Sequence, residues 1–477
     1  MTIEQIINEV KKNDSSADID LLKLAYDFAK IAHQGQKRLD EEPYIQHSLH
    51  TAFMLAQIKA DLSTVTAGLL HDTIEDSEHT FENIEKNFGA EIANLVQGIT
   101  KLGTVKYRGV ERYKENLRKM FLAMVDDLRV VLIKFCDRLH NLRTLNALSK
   151  EKQLRIAKET LEIYAPIAGL LGVWRLKWQM EDICFKYLHP EEFQKLKHKY
   201  EVVKKIEHKK FIEKTKHILE KELQKANIQH QIEGRFKHLY NIYQKMQRKD
   251  KKFHEIYDVF ALRIIVPTIA DCYKVLGIVH AIWWSKMDRF KDYISMPKPN
   301  GYQSLHTTVF GYDDKLTEFQ IRTQEMHDAA LYGIAAHWHY KEKGDLKKPQ
   351  KQPFWIKEIL NAQREAKNTH DFITEVKLNI FHNRIFVFSP KGDVFDLPEE
   401  ATAIDFAYAV HTEIGDKATG ALINEKMSVL SQQLKNGDMV EIIIEKNRKH
   451  PNRAWLKFAK THRAKSKIKQ HIKVKSL

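Results

Sequence analysis

The sequence predicts a multidomain α+β chain: an all-helical N-terminal domain, an α/β domain built on a mixed sheet, and a small β-rich module. Three observations carry this. Apolar residues recur at three- and four-residue spacing through positions 1–190. From position 228 the period shortens, and β-branched runs alternate with helical ones. Strand patterns then return after a charged, Pro-interrupted stretch. A chain of 477 residues suits about three domains.

In the first region, "DLLKLAYDFAKIAHQGQ", "HTAFMLAQIK", "STVTAGLLHDTIED", "FENIEKNFGAEIANLVQGITKL" and "DDLRVVLIKFCDRLHNLRTL" each read as an amphipathic helix. Capping residues, Pro or Gly stand at their joints. Positions 194–226 form a long lysine-rich amphipathic stretch suited to a connecting or packing helix. "IYDVFALRIIV", "SLHTTVFG" and "LTEFQIRT" are short β-rich runs, separated by helical patterns such as "IADCYKVLGIVHAIW". "RIFVFSPKGDVFDLPEEATAIDFAYAVH" and "DMVEIIIE" bring strands back. The expected divisions are 1–190, 191–341, a charged linker with one helix over 342–378, a module over 379–445, and a basic helical tail over 446–477.

Apolar residues make up 43% of the chain and charged residues 30%, which marks a globular protein. No apolar run reaches the roughly 18 residues a membrane span needs, and no secretory signal pattern opens the chain. Cys136, Cys184 and Cys272 sit in apolar segments with no zinc or disulfide spacing, as expected of free thiols in a reducing cytoplasm. The net charge of +15 favours polyanions, either nucleic acid or phosphorylated small molecules. From Arg448 onward the sequence holds eleven Lys or Arg and no acid. Such a run is ordinarily a solvated end, but Trp455, Phe458 and a helical apolar spacing interrupt it, which is compatible with RNA contact.

His47, His71, Asp72 and Asp137 form the first constellation, in "PYIQH", "LLHDTIED" and "KFCDRLHN". A single His on a helix is more often structural; a mixed set of two imidazoles and two carboxylates suits Mn²⁺, Fe²⁺, Zn²⁺ or Mg²⁺ better than a thiolate-rich structural zinc site. His50 is an alternative to His47, which is preferred because it follows "PYI". Glu75 and Asp76 lie one helical turn beyond the His-Asp pair and suit general acid/base work on a metal-activated water. Asn141 lies one turn after Asp137, placed to touch substrate, and Arg38 precedes His47 by nine residues.

The second constellation is basic. "GRFKHLYNIYQKM" supplies Arg235, Lys237 and Lys245; "DRFKDYISMPKPNGYQSLHT" supplies Arg289, Lys291, Lys298 and a Gly-containing turn with Tyr302. Asp258 opens a strand pattern that also carries Arg263. In "TEFQIRT", Glu318, Gln320 and Arg322 alternate with Phe319 and Ile321 and so share one face. Two acids amid many cations can hold the Mg²⁺ of a nucleoside triphosphate while the cations neutralise migrating phosphate charge. Tyr302 can stack on a base. No Walker A loop or Rossmann fingerprint is present.

These motifs, in this order along nearly the whole chain, resemble the long RelA/SpoT homologue family, which makes and degrades the alarmone (p)ppGpp. The resemblance implies an HD-type hydrolase domain, a nucleotidyltransferase-like synthetase domain and a β-grasp-like TGS domain. It implies transfer of pyrophosphate from ATP to the 3′-hydroxyl of GDP or GTP, and removal of that group by hydrolysis. His47, His71, Asp72 and Asp137 match the ligands of a Mn²⁺ ion, Glu75 and Asp76 the acid pair, and Arg38, Asn141 and Thr144 substrate-contacting positions. Asp258 and Glu318 match Mg²⁺ carboxylates, with Glu318 also the base for the 3′-hydroxyl. Tyr302 matches a guanine-stacking position; Arg235, Lys237, Lys245, Arg263, Lys298, Asn300, His306 and Arg322 match nucleotide- or phosphate-contacting ones. Arg289 and Lys291 belong to "RFKD", the basic form seen in bifunctional members. The TGS module and basic tail point to ribosome or tRNA contact. The alternative reading is an RNA- or ribosome-associated regulator with idle catalytic domains.

The sequence departs from the family pattern after Arg38. Family members continue Lys-Ser-Gly-Glu-Pro; here Leu39-Asp40-Glu41-Glu42-Pro43 follow, so a basic contact near the guanine is missing. Ser48 replaces the usual Pro. Long members also continue past TGS through further regions.

Overall fold

Aspartates open several of the N-terminal helices. The Asp18 carboxylate accepts from the amides of Asp20 and Leu21, Asp61 from Thr64, and Asp127 from Arg129, satisfying amides that a helix leaves unpaired. The helices are α1 (Ile3–Asn13), α2 (Ile19–Ala32), α3 (Ile45–Gln57), α4 (Leu62–Leu70), α5 (Thr73–Asp76), α6 (Phe81–Gly103), α7 (Leu128–Arg143), α8 (Lys150–Glu159), α9 (Ala165–Leu170) and α10 (Trp174–Leu188). This computed structural model describes residues 1–103, 118–335 and 384–473, leaving out 125, 208–211, 250–252, 254–259, 287–288, 299, 313–315, 334, 436, 446 and 449 inside those ranges. The chain divides into two compact units, Met1–Lys351 and Gln352–Leu477. None of the helices among the described residues is long and apolar enough to cross a membrane.

In the first unit α3 packs on both α4 and α7, burying Leu49, Leu55, Leu69, Leu70, Ile133 and Leu139. The stretch "STVTAGLLHDTIED", expected as one helix, is two. α4 ends at Leu70, His71 and Asp72 form a turn, and α5 follows. Side chains take carbonyls that a continuing helix would use: His71 Nδ1 bonds to the Gly68 oxygen at 3.0 Å and Thr73 Oγ1 to that of Leu70 at 2.6 Å. The lysine-rich stretch after 190 holds two helices among the described residues, α11 (Pro190–Glu207) and α12 (Glu213–Lys225).

A five-stranded sheet follows: β1 (Gln231–Phe236), β2 (Phe260–Val266), β3 (Lys291–Asp292), β4 (Leu305–Phe310) and β5 (Leu316–Thr323), in the order β1-β2-β5-β4-β3. β2 and β5 are parallel and the other pairs antiparallel, so the sheet is mixed as the sequence predicts. α13 (Leu239–Lys249), α14 (Ile269–Ile282) and α15 (Gln324–Tyr332) accompany it. Alternation sorts its faces. Leu262, Ile264, Val266, Leu305, Val309, Phe319 and Ile321 join one core with residues of α12 and α14. Register then places Glu233, Arg235, Arg263, His306, Glu318, Gln320 and Arg322 together on the other face.

Backbone meets backbone between Gly172 and Gly333, both at positive φ (72° and 55°). A Cβ on Gly333 would lie 2.2 Å from the Leu171 oxygen and 2.4 Å from the Gly172 carbonyl carbon. Rigid backbone lies on both sides, so the clash cannot be relieved by a rotamer change. Gly333→Ala is therefore expected to destabilise the first unit by more than about 2 kcal/mol, read as a lowered midpoint in denaturant unfolding. An unchanged midpoint would refute this packing.

In the second unit β6 (Arg384–Phe388) pairs with β7 (Val394–Pro398). β8 (Ala418–Ile423) lies between β10 (Val440–Ile444) and β9 (Lys426–Ser428). α16 (Ala403–Val410) and α17 (Thr412–Lys417) connect them. The basic tail is packed rather than solvated. Trp455, Ala459, Ala464 and Ile468, the last two on α18 (His462–Lys473), share a core with Ile404, Ala407 and Tyr408. Buried Asp405 fastens it, accepting from the Lys460 amide at 2.9 Å and the Thr461 amide at 2.7 Å. The linker expected over 342–378 lies outside the described residues.

Candidate active sites

His47 on α3, His71 and Asp72 at the α4–α5 turn, and Asp137 on α7 converge. Donor atoms of His47, His71 and Asp137 all lie within 4.8 Å of one another. His47 Nε2 is 3.2 Å from His71 Nε2, 3.4 Å from an Asp72 oxygen and 3.3 Å from an Asp137 oxygen; His71 Nε2 is 3.1 Å from the same Asp72 oxygen. Ligand atoms about 2.1 Å from one divalent ion sit roughly 3.0–3.4 Å apart, so His47, His71 and Asp137 suit such an ion, with the Asp72 oxygen beside both imidazoles. Tautomers agree. The Gly68 carbonyl can only accept, so His71 carries its proton on Nδ1 and turns a bare Nε2 lone pair toward the centre. His47 Nδ1 is 2.8 Å from His140 Nδ1. Burial and positive neighbours push His140 down to about 2, so it stays neutral; with a cation on His47 Nε2, the shared proton lies on His47 Nδ1 and His140 accepts it.

The electrostatics suit a cation. Burial works to raise the Asp137 and Asp72 carboxyls, but Lys134 and the imidazoles hydrogen-bonded to them win and hold both below the usual range. Lys134 and His47 act on Asp137, and His71 and His47 on Asp72. Burial disfavours the charged form of His47, yet Asp137 and Asp72 raise it overall. The Tyr44 hydroxyl lies 2.9 Å from Asp72 Oδ2 and 2.8 Å from Asp76 Oδ2, joining a ligand carboxylate to one of the acid pair. Glu75 is raised by burial and by Asp72, Asp76 and Asp137, with Lys134 opposing. His50, the alternative ligand, instead stacks on His140 at 4.7 Å between centroids.

A cavity of about 430 Å³ lies beside this centre, lined among others by Arg38, Tyr44, Arg138, Asn141, Thr144 and Leu148. Arg38 donates to Asn141 Oδ1 at 2.7 Å and to Thr144 Oγ1 at 3.3 Å; Asn141 donates in turn to Asp137 at 2.5 Å. The three substrate-contacting expectations thus form one chain of hydrogen bonds ending on the Asp137 carboxylate.

The second site occupies the polar face of the sheet. Glu318 Oε1 is 3.1 Å from His306 Nδ1 and accepts from Gln320 Nε2 at 2.9 Å; Lys237 lies 3.8 Å from Oε2. Arg235 donates to Gln320 Oε1 at 3.0 Å. Burial works to raise Glu318, but His306 and Lys237 hold it below the usual range, so it is ionised. Tyr302 and His306 are joined at 2.8 Å. The turn around Tyr302 uses Gly301 at φ 77°, which a side chain would strain. Lys298 sits over the Tyr293 and Tyr302 rings at 4.7 and 5.4 Å. Arg263 pairs with Glu233 at 3.2 Å. Arg322 is 1% exposed, and burial with Arg263 and Arg235 nearby pushes it down to about 9. The Nε atoms of Arg263 and Arg322 are buried without a hydrogen-bond partner. Two buried guanidinium groups short of acceptors suit an anionic ligand. Lys291 stands opposite His306 on the edge strand, and Arg289 precedes it. Lys245 lies on α13, and Asn300 turns its amide to the Gly169 oxygen at 3.2 Å. Asp258 lies outside the described residues.

Residues 25–174 match the HD domain family, 234–345 the region found in RelA/SpoT proteins, and 385–444 the TGS domain. The chain is 43% identical over 477 residues to the bifunctional (p)ppGpp synthase/hydrolase SpoT of Escherichia coli K12, spanning 99% of this chain and 67% of that protein. It belongs to the RelA/SpoT family. It is also 45% identical to a GTP pyrophosphokinase of Myxococcus xanthus, over 96% of this chain and 61% of that one. A guanosine-3′,5′-bis(diphosphate) 3′-pyrophosphohydrolase of Aquifex aeolicus is 46% identical, over 95% and 64%. The chain thus spans about three fifths to two thirds of these curated relatives.

Within this family frame, sequence reasoning missed Tyr44, Lys134 and His140. All three carry a spacing signal: Tyr44 stands three residues before His47, and Lys134 and His140 stand three either side of Asp137, hence on its helix face. The segment after Arg38 forms a tight turn. Glu41, where the family has Gly, holds φ 65°, while the Arg38 amide bonds to the Glu42 oxygen at 2.9 Å.

Proposed function

We propose that this chain is a bifunctional alarmone enzyme that attaches pyrophosphate to the 3′-hydroxyl of GDP or GTP and also removes it. What supports the reading most is one donor set, His47, His71 and Asp137 with an Asp72 oxygen beside both imidazoles, in the HD region, together with a separate ionised carboxylate, Glu318, among buried cations in the synthetase region. The relatives' names point the same way.

In synthesis, Glu318 accepts the proton of the 3′-hydroxyl as its oxygen bonds to the β-phosphorus of ATP. The bond from that phosphorus to the α,β-bridging oxygen breaks and AMP departs. Arg235, Lys237, Lys245, Lys298 and Arg322 neutralise the moving phosphate charge, with Arg263, Asn300, His306, Arg289 and Lys291 completing the nucleotide surroundings. Tyr302 offers its face to guanine. Asp258 and Glu318 would hold Mg²⁺. In hydrolysis, His47, His71, Asp72 and Asp137 would hold Mn²⁺, which when bound supplies Lewis-acid activation of water and neutralises phosphate charge. Glu75 and Asp76 take the water's proton and return one to the departing 3′-oxygen, with Tyr44 orienting Asp76. Arg38, Asn141 and Thr144 hold the nucleotide in the adjoining cavity. The reading places the chain in the cytoplasm, where ATP and GTP are, with ribosome or tRNA contact through the TGS module and the helix that follows.

The test is to incubate pure protein with ATP plus GDP, then separately with ppGpp and Mn²⁺, and identify the products. AMP with ppGpp, and GDP with pyrophosphate, are expected. No product in either arm would favour an RNA-associated regulator; pyrophosphate release from ATP with transfer to RNA ends would favour a nucleotidyltransferase.

A pH dependence follows. Glu75 must be ionised to take a proton, and its surroundings raise it above an ordinary glutamate's 4.5. Hydrolysis is therefore expected to fall as pH drops through a midpoint above that value. A kcat/KM profile flat down to pH 4.5 would remove Glu75 from the base role.

A further inference from the structure

α10 lies between the two matched catalytic regions: the HD match ends at 174 and the RelA/SpoT match begins at 234. One stripe of this helix holds the first region. Arg143 donates to Gln179 Oε1 at 2.7 Å, and Arg175 to the Gln57 oxygen at 3.4 Å. A neighbouring stripe, Trp178, Asp182 and Phe185, falls at the spacing that puts side chains on one helix face. Each of the three grips the segment that leads into α13. The Trp178 indole lies flat on the His238 ring, 4.1 Å between centroids and 5° between planes. Asp182 Oδ1 accepts from the Tyr240 amide at 2.9 Å. Phe185 stacks on Tyr243 at 4.5 Å.

That segment carries the phosphate-neutralising groups. β1 ends at Phe236 and α13 starts at Leu239, so Lys237 and His238 belong to neither element. Arg235 reaches Glu318 through Gln320, and Lys237 lies 3.8 Å from Glu318. The β1 ladder holds one end of the segment. The other end begins a helix, whose first amides lack intrahelical partners. Within α13 a cap of its own would come from Lys237 or His238, and neither is a good capping residue. Asp182 supplies the missing acceptor from another helix. Burial pushes its carboxyl up to about 6, against the pull of the Tyr240 and Leu239 amides, so at neutral pH it is ionised and the bonds are charge-assisted.

We propose that Asp182 and Trp178 are positioning residues for synthesis: lodged on a helix packed against the hydrolase side, they fix where Lys237 stands beside Glu318. This rests on the reading of the second site as the synthetic one. It assigns α10 to the synthetic reaction although it lies outside the matched synthetase region. With GDP as acceptor, ATP carries the larger phosphate charge of the two nucleotides, so misplacing Lys237 acts first on ATP.

The experiment uses the full chain with Asp182→Ala and Asp182→Asn. For each, the KM for ATP, the kcat of synthesis, ppGpp hydrolysis and amide hydrogen exchange over residues 239–243 are measured. Asp182→Ala is expected to raise the KM for ATP about tenfold with a smaller change in kcat. Hydrolysis should stay within about twofold, and exchange in the first turn of α13 should quicken. Asp182→Asn keeps an acceptor oxygen and should recover the KM to within about threefold. An unchanged KM in Asp182→Ala, or an Asn variant no better than Ala, overturns the proposal. So does equal loss of both activities in Asp182→Asn, which would make the residue a general stabiliser. A parent chain that makes no (p)ppGpp defeats the functional reading instead, and exchange then decides whether Asp182 holds the segment.

Discussion

Replacing Asp72 with Ala is expected to reduce ppGpp hydrolysis at least ~10³-fold, about 4 kcal/mol of transition-state stabilisation, with synthesis within about twofold of the parent. The reason is geometric. One Asp72 oxygen sits 3.1 and 3.4 Å from the Nε2 atoms of His71 and His47 and is also an acceptor for Tyr44. Its loss removes a charged ligand and leaves the Tyr44 hydroxyl with Asp76 alone. Binding of Mn²⁺, followed by calorimetry, should weaken in parallel. The local core, built from α3, α4 and α7, does not depend on this carboxylate. Equal loss of both activities would mean that the change unfolds the region or that the two sites are wrongly divided.

Glu318→Gln is expected to produce the opposite phenotype: synthesis falls at least ~10³-fold while hydrolysis persists. The amide keeps the shape of the side chain and one acceptor oxygen. It loses the negative charge that His306 and Lys237 surround, the charge that the proposed mechanism uses to hold a cation and to take the 3′-hydroxyl proton. Thin-layer separation of labelled ATP and GDP products reads the synthesis, and pyrophosphate release from ppGpp reads the hydrolysis. Retained synthesis in Glu318→Gln would move the base role elsewhere.

Much of this was legible in the sequence because it depends on periodicity. "TEFQIRT" alternates, so Phe319 and Ile321 had to go to one face and Glu318 and Arg322 to the other, as they do. The convergence of His47, His71, Asp72 and Asp137 was legible because His and Asp at those spacings have few other uses together. The break at His71–Asp72 was not, since a continuous apolar pattern hides side chains that take carbonyls from within. The packed tail was only half legible: Trp455, Phe458 and a helical apolar spacing set it apart from a solvated end, but the partner Tyr408 stands far upstream.

The sequence by itself determined which donor groups the chain carries and which strand residues share a face, because residue type and strand period are local properties. Only the tertiary structure decided which nitrogens point inward, through the Gly68 carbonyl and His140. Only it, too, brought Asp182 to the start of a helix 58 positions away. Hydrogen-bond direction and long-range capping are set by where elements pack, and no spacing rule along one strand or helix contains that information.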